Sequence, residues 1–126
     1  MTGIVVFAHG SRVESANQAV RDVAAQLASN GRFDVEPAFL ELGQPDLAGA
    51  VERLVTRGAV RITVIPYFLT MGTHLNRDLP RLAGDAARRY DNVEIHVTAP
   101  LDGHPALLQA LLDRAWQAGA AEEKSV

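Results

Sequence analysis

The amino-acid sequence predicts a single α/β domain: a four-stranded parallel sheet flanked by helices on both faces. Short apolar segments rich in β-branched and aromatic residues alternate along the chain with longer segments whose apolar residues recur at helical spacing. The chain has 126 residues, 48% of them hydrophobic and 21% charged, which suits one globular core. Strands joined by helices form right-handed crossovers, so the order βαβαβαβα gives a parallel sheet covered on both faces.

The four predicted strands are the short apolar runs. They cover residues 3–8, 33–40, 60–69 and 93–98. The third run is the most apolar and is expected to lie near the centre of the sheet. Because Pro66 has no amide hydrogen to donate, the last residues of this run should fall outside regular strand pairing.

The four predicted helices are identified by apolar residues three and four positions apart. Their inner faces are Ala16, Val20, Val23, Ala24 and Leu27; Leu47, Val51, Leu54 and Val55; Leu79, Leu82, Ala83 and Ala86; and Leu108, Leu111, Leu112 and Ala115. Asn30-Gly31 is expected to end the first helix, and Gln44-Pro45-Asp46 to open the second. Trp116 and the leucines around it are expected in the core. The domain should comprise residues 1–118, with a frayed tail over 119–126.

Charge and composition exclude several classes of protein. A formal net charge of −3 argues against nucleic acid as a partner, because binding to phosphates requires a basic face. The chain has no cysteine, which excludes disulfides, thiolate metal sites and a cysteine nucleophile, and fits a reducing cytoplasm. No signal-peptide pattern opens the sequence, and its apolar runs fall short of the roughly 20 residues that span a bilayer. We therefore expect a cytoplasmic protein without a membrane segment.

The candidate site lies beyond the carboxyl ends of the strands, where parallel sheets bind ligands. Four segments occupy this edge: HGSR, ELG, TMGTHLNRD and LDGH. They contain His9, Glu41, His74 and His104, whereas His96 lies within a strand. Two imidazoles and a carboxylate without thiols form a plausible site for cobalt, nickel or ferrous iron.

Each of these residues also has a structural interpretation. A histidine in a loop is often only a hydrogen-bonding residue, His104 precedes a proline and can simply lead into a helix, and strand alternation alone accounts for His96. Glu41 could equally be a solvated acid at the end of a strand. The segment Ser11-Arg12-Val13-Glu14 matches a capping box, in which serine and glutamate bind the first amides of a helix. The residues alone thus predict a metal or anion site and name no reaction.

Three stretches, IVVFAHGSR, AFLELGQPDL and IPYFLTMGTHLNRDLP, together resemble the small CbiX-type sirohydrochlorin chelatases, which are class II chelatases of the CbiX/SirB family. The resemblance extends over about residues 3–105 and keeps the motif order. It implies a fold like one half of the longer chelatases, and a homodimer in place of their fused halves. The implied activity is that of a lyase: insertion of a divalent metal into sirohydrochlorin without ATP, in cobalamin or sirohaem biosynthesis.

The resemblance also assigns roles to residues. His9 and His74 match the family's metal-contacting and catalytic histidines, and Glu41 matches its acidic companion. The pKa of imidazole, about 6.5, suits both metal binding and removal of pyrrole protons near neutral pH. The carboxylates of the macrocycle would contact the following residues: Ser11, Arg12, Thr73, Asn76 and Arg77. Co²⁺ is the favoured metal substrate, with Fe²⁺ or Ni²⁺ as alternatives, and no organic cofactor is implied.

Two other functions share features with this sequence. The same residues could serve a non-catalytic module that carries a tetrapyrrole or a metal between enzymes. A histidine phosphatase also places its catalytic histidine after the first strand, but within an R-H-G motif. Here Ala8 stands where that arginine is expected, and a principal phosphate-binding group is missing.

Overall fold

The computed structural model describes residues 2–125, with side chains described as far as residue 119. Strands and helices alternate as predicted. In chain order they are β1 (Thr2–Ala8), α1 (Glu14–Asn30), β2 (Asp34–Phe39), α2 (Leu47–Thr56), β3 (Arg61–Pro66), α3 (Thr73–Ala87), β4 (Glu94–Val97) and α4 (Pro105–Ser125). The predicted domain boundary at residue 118 and the frayed tail stay predictions: the backbone of α4 continues to Ser125, and the side chains of residues 120–126 lie outside the described part.

The four strands form one parallel sheet in the order β2-β1-β3-β4. This arrangement confirms the predicted four-stranded parallel sheet and places β3, together with β1, in its interior. β3 ends at Pro66, which lies opposite Phe7 of β1, and the residues up to Leu69 are not part of the strand. The strand thus ends at Pro66, as the sequence predicted, although the Tyr67 amide still donates to the Phe7 carbonyl at 2.7 Å.

Helices cover both faces of the sheet. On one face α2 and α3 supply Leu54 and Leu79, which pack with Val5 and Ile62 of the strands. On the other face α1 supplies Val20, which packs with alternate residues of β1. Burying a leucine such as Leu54 contributes about 1.5–3 kcal/mol, so these contacts are the main source of stability. Both layers leave the carboxyl edge of the sheet uncovered for the loops that follow the strands.

The prediction that α4 contributes to the core is wrong. Its apolar residues are mostly solvent-exposed: Leu108 by 62%, Leu111 by 68%, Leu112 by 45% and Trp116 by 66%, and Ala115 is exposed as well. Within the described part of the chain, α4 packs extensively against neither the sheet nor the other helices. The periodicity correctly identified a helix with an apolar face. It could not identify the covering surface, because periodicity defines an apolar face but not what packs against it.

The start of α1 also differs from the capping-box interpretation, which is wrong. The helix begins at Glu14, and its N-cap, Val13, makes no side-chain hydrogen bond. Ser11 lies before the cap, where its hydroxyl accepts a hydrogen bond from the Val13 amide at 3.0 Å. The carboxylate of Glu14 instead accepts a hydrogen bond from Arg21. The hydroxyl of Ser11 therefore accepts no hydrogen bond from an amide within the helix.

The predicted opening of α2 is close to the observed one. Pro45 and Asp46 precede the helix, and the Asp46 carboxylate accepts a hydrogen bond from the Gly49 amide at 2.8 Å. This contact satisfies one of the unpaired amides in the first turn of the helix. No helix between residues 2 and 125 combines the length and the apolar character needed to cross a bilayer.

Candidate metal and substrate site

His9 and Glu41 are placed side by side by the hydrogen bonding between β1 and β2, which continues past the ends of both strands. The Leu40 amide donates to the Ala8 carbonyl at 2.9 Å, and the Glu41 amide donates to the His9 carbonyl at 3.1 Å. Each residue is the first or second after its strand, so strand register determines their proximity. The structure thus brings together two of the three residues predicted to converge at this edge.

Gly10 permits the close approach of the two loops. Its φ is +95°, a conformation that residues with a Cβ rarely adopt. A Cβ built on Gly10 would lie 1.7 Å from the Glu41 carbonyl oxygen. The glycine of the HGSR motif is therefore required for the backbone of the β1–α1 loop to pass against that of the β2–α2 loop.

The side chains of His9 and Glu41 form an exposed pair, which is an ion pair only when the imidazole is protonated. The His9 Nε2 atom lies 3.4 Å from the Glu41 Oε1 atom, and each side chain is 59% exposed. The ring of Phe68 meets the His9 ring edge to face, with 6.4 Å between the ring centroids. One nitrogen and one oxygen donor thus lie next to each other with solvent access, an arrangement that can bind a borderline divalent cation weakly or accept a proton.

His74 reaches this edge from a different element. It is the second residue of α3, directly after Thr73, and its side chain is exposed. Among residues 2–125, no group of three or more histidine, aspartate and glutamate side chains lies close enough to hold a metal ion. The structure therefore joins Glu41 to His9 and leaves His74 apart from them. The assignment of all three residues to one metal stays a prediction.

The predicted substrate-binding residues lie on two elements. Arg12 follows Ser11 in the β1–α1 loop, and Asn76 and Arg77 lie with Thr73 in the first turns of α3. Neither arginine forms an ion pair with any residue of the described chain. Both guanidinium groups are exposed and available to an anionic ligand. Contacts between these residues and a substrate remain predicted.

The other two histidines lie outside this arrangement. The Nδ1 atom of His104 accepts a hydrogen bond from the Ala106 amide at 3.0 Å, so its side chain caps the start of α4. This contact supports the interpretation of His104 as the residue that leads into a helix. His96 is exposed on β4, opposite Thr63 of β3.

One residue near the site was missed by the sequence analysis. Asn17 of α1 is buried, with 2% exposure, and its amide forms hydrogen bonds with both loops that carry the ion pair. The sequence does contain a signal for Asn17. It precedes Val20 by three positions and Ala24 by seven, and this spacing places it on the same buried face of α1 as these two residues. A polar residue on the apolar face of a helix requires a hydrogen-bonding partner inside the protein.

Comparisons with known proteins identify a family and several relatives. The family model described as CbiX matches residues 3–118. The chain is 35% identical over 113 residues to the chloroplastic sirohydrochlorin ferrochelatase of Arabidopsis thaliana, covering 89% of this chain and 50% of that protein. It is 30% identical over 135 residues to the sirohydrochlorin cobaltochelatase of Methanopyrus kandleri, covering 90% of this chain and 94% of that protein.

Two solved structures share the fold. The CbiX protein of Marinobacter aquaeolei superimposes with a TM-score of 0.84 and 26% identity, covering 96% of this chain and 99% of that one. SirB of Bacillus subtilis with Fe³⁺ superimposes with a TM-score of 0.85 and 28% identity, covering 94% of this chain and 47% of that one. The chain thus spans about half the length of the Arabidopsis and Bacillus proteins and nearly all of the other two. On the family match and these identities, the chain belongs to the CbiX family.

Proposed function

We propose that this chain is a chelatase that inserts a divalent metal into sirohydrochlorin without ATP, in cobalamin or sirohaem biosynthesis. The observation that carries the proposal is the exposed His9–Glu41 pair, 3.4 Å apart, at the carboxyl edge of a CbiX-family sheet. Relatives are named for cobalt and for iron, and we favour Co²⁺ as the metal substrate, with Fe²⁺ or Ni²⁺ as alternatives. No organic cofactor takes part in this reaction.

The chemistry follows from the donor atoms of the pair. Insertion replaces two pyrrole N–H protons by one metal ion, so the enzyme must deliver the metal and accept protons. The His9 imidazole and the Glu41 carboxylate bind the ion through few nitrogen and oxygen ligands, weakly enough to release it to the ring nitrogens. We propose that His74, on α3, supplies a further nitrogen donor once metal and macrocycle are bound, and that the pyrrole protons pass to an imidazole or to Glu41.

The carboxylates of the macrocycle bind around this pair. Arg12 and Arg77 have no ion-pair partner in the described chain, and each can form paired hydrogen bonds with a carboxylate. Ser11, Thr73 and Asn76 add hydroxyl and amide donors, and the first turn of α3 contributes a favourable helix dipole. These groups hold the macrocycle over the metal with its charged substituents directed to the edge.

We also propose a homodimer that uses the exposed face of α4. Three leucines and Trp116 form an apolar stripe on this helix. Stripes of this size on a protein surface mark interaction sites. Burying the stripe in two copies removes on the order of 1,000 Å² from water, near the lower bound of a stable interface. The longer relatives, of which this chain spans half, are consistent with two such domains acting together.

The absence of cysteine fits a cytoplasmic location.

The test is a turnover assay with purified, metal-free protein. Excess sirohydrochlorin is incubated anaerobically with Co²⁺, Fe²⁺ or Ni²⁺, and the absorbance of the macrocycle is followed against a protein-free blank. We expect multiple turnovers that fall at least tenfold in His9→Ala, His74→Ala and Glu41→Gln. The matched control is His96→Ala, which removes an exposed histidine of β4 and should retain full activity.

Two results would overturn the proposal. No acceleration with any metal excludes the chelatase. A spectral change that stops at one equivalent per site identifies a carrier of tetrapyrrole or metal in its place.

A further inference from the structure

Asn17 is the one buried polar residue in the part of the chain that the structure describes. It shares a helix face with the apolar residues Val20 and Ala24. It lies in the first turn of α1, on the face that packs against the sheet. Burying an amide costs free energy unless its donors and acceptor are all hydrogen-bonded. In the described chain, no buried side-chain nitrogen or oxygen lacks a partner. The cost at Asn17 is therefore offset by specific contacts.

Those contacts all go to two loops. The Oδ1 atom of Asn17 accepts a hydrogen bond from the Ser11 amide, and its Nδ2 atom donates to the Ser11 carbonyl and to the Leu42 carbonyl, each at 2.9 Å. One acceptor and two donors are thus used together, and only an asparagine-sized amide supplies all three at this reach.

The two loops are those that carry the ion pair. Ser11 is two residues after His9, and Leu42 directly follows Glu41. Leu42 has a φ of +58°, so the chain turns sharply at the carbonyl that Asn17 binds. The backbone ladder joins the loops on one side of the pair, through the Glu41 amide, and Asn17 joins them on the other.

We infer that Asn17 is a positioning residue that holds His9 and Glu41 in register from α1. The ion pair cannot do this itself, because an exposed pair contributes little to stability. Hydrogen bonds in a buried amide network are stronger and fix one geometry. The expected effect of Asn17 on turnover rests on the function proposed above. Its effect on the relative position of His9 and Glu41 does not depend on that function.

Two substitutions separate geometry from folding. Asn17→Asp keeps the size and the acceptor but directs a carboxylate at two carbonyl oxygens, so both donations are lost. Asn17→Ala removes all three contacts. Displacing reacting groups by about 1 Å costs on the order of 100-fold in rate. We expect kcat to fall 10- to 100-fold in both variants, with less than a threefold change in KM for the macrocycle, because the two arginines are retained.

Two controls on the same helix accompany these variants. Asn30→Ala removes an exposed asparagine whose amide binds only the Gln26 carbonyl in the last turn of α1. Ala24→Gly destabilises the buried middle of the helix without touching either loop. Both should turn over like the unmodified protein at temperatures well below their unfolding midpoints.

Amide hydrogen exchange measured by NMR supplies a readout independent of activity. We expect faster exchange of the Glu41 amide in both Asn17 variants, faster exchange of the Ser11 amide in Asn17→Ala, and unchanged exchange at both amides in Ala24→Gly. A crystal structure of Asn17→Asp should show the His9–Glu41 separation increased beyond 3.4 Å.

Several outcomes would overturn the inference. If Ala24→Gly loses as much turnover as Asn17→Asp at equal stability, the role of Asn17 is only structural. Unchanged exchange at Glu41 together with an unchanged ion pair in the Asn17 variants would also refute it. If the unmodified protein does not turn over, the proposed function fails, while exchange and the crystal structure still decide the role of Asn17.

Discussion

Gly10→Ala tests whether the close approach of the two site loops is essential. The added Cβ would lie 1.7 Å from the Glu41 carbonyl oxygen, so this oxygen must move by about 1.5 Å to reach an ordinary contact distance. Such a shift breaks the hydrogen bond from the Glu41 amide to the His9 carbonyl. It also separates the two side chains that now lie 3.4 Å apart.

The loss of stability expected for Gly10→Ala has two parts. Alanine at a φ of +95° costs about 1–2 kcal/mol in backbone strain, and each broken hydrogen bond adds about 1 kcal/mol. We therefore expect the free energy of unfolding to fall by about 2–4 kcal/mol. Turnover should fall by about 100-fold, because the displacement of Glu41 exceeds 1 Å.

Gly58→Ala is the matched control. Gly58 has a φ of +103°, but a Cβ built there would meet nothing within 4 Å. Gly58→Ala therefore has the backbone strain of a positive φ but no steric clash at the added Cβ. Gly58 lies between α2 and β3, away from the site. Urea unfolding and the turnover assay are measured on both variants. If Gly10→Ala matches Gly58→Ala in stability and keeps its turnover, the loops do not require the close approach and the reasoning is refuted.

Three further predictions concern stability and assembly. Leu54→Ala should lower the free energy of unfolding in urea by about 2–5 kcal/mol because its side chain is buried; Leu108→Ala, measured in the Trp116→Asp background in which the proposed interface is broken, should lower it by less than about 0.5 kcal/mol, and equal losses would contradict the exposed position of α4. The hydrogen bond from Arg21 lowers the pKa of Glu14, so this pair stabilises the fold above about pH 4.5 and the effect disappears as the pH falls below that value. Glu14→Gln should therefore be slightly less stable than the unmodified protein at pH 7, and the difference should shrink as the pH falls below about 4.5; a difference that stays constant as the pH falls would exclude this origin. Trp116→Asp should convert a dimer to a monomer in sedimentation equilibrium with unchanged far-UV circular dichroism; an unmodified chain that is already monomeric would contradict the proposed interface.

The fold was predictable because each element carries its own periodicity. The helix that contains Leu54 and the strand that ends at Pro66 were recognised from local patterns, and their order determined the parallel sheet. The exposure of α4 was not predictable in the same way. An apolar face at Leu108 and Leu111 indicates that something covers it, and the sequence of one chain does not distinguish its own sheet from a second molecule.

The site was predictable only in part, for a related reason. His9 and Glu41 follow neighbouring strands directly, so strand register alone brings them together. The position of His74 depends on the path of residues 67–72 between β3 and α3, which no pairing pattern specifies. Asn17 lies on the interior face of α1, and the apolar periodicity that defines this face does not register a polar residue within it.

The hydrogen bonds that place the ion pair are the last rungs of the sheet, beyond Ala8 and Phe39. End rungs can open without disturbing the packed residues below them, because local openings cost far less free energy than global unfolding. The melting temperature of this protein reports chiefly on the buried layers. A variant can therefore melt like the unmodified protein and still have lost the alignment of its two reactive side chains. In screens of this protein, thermal stability and activity must be scored as separate traits.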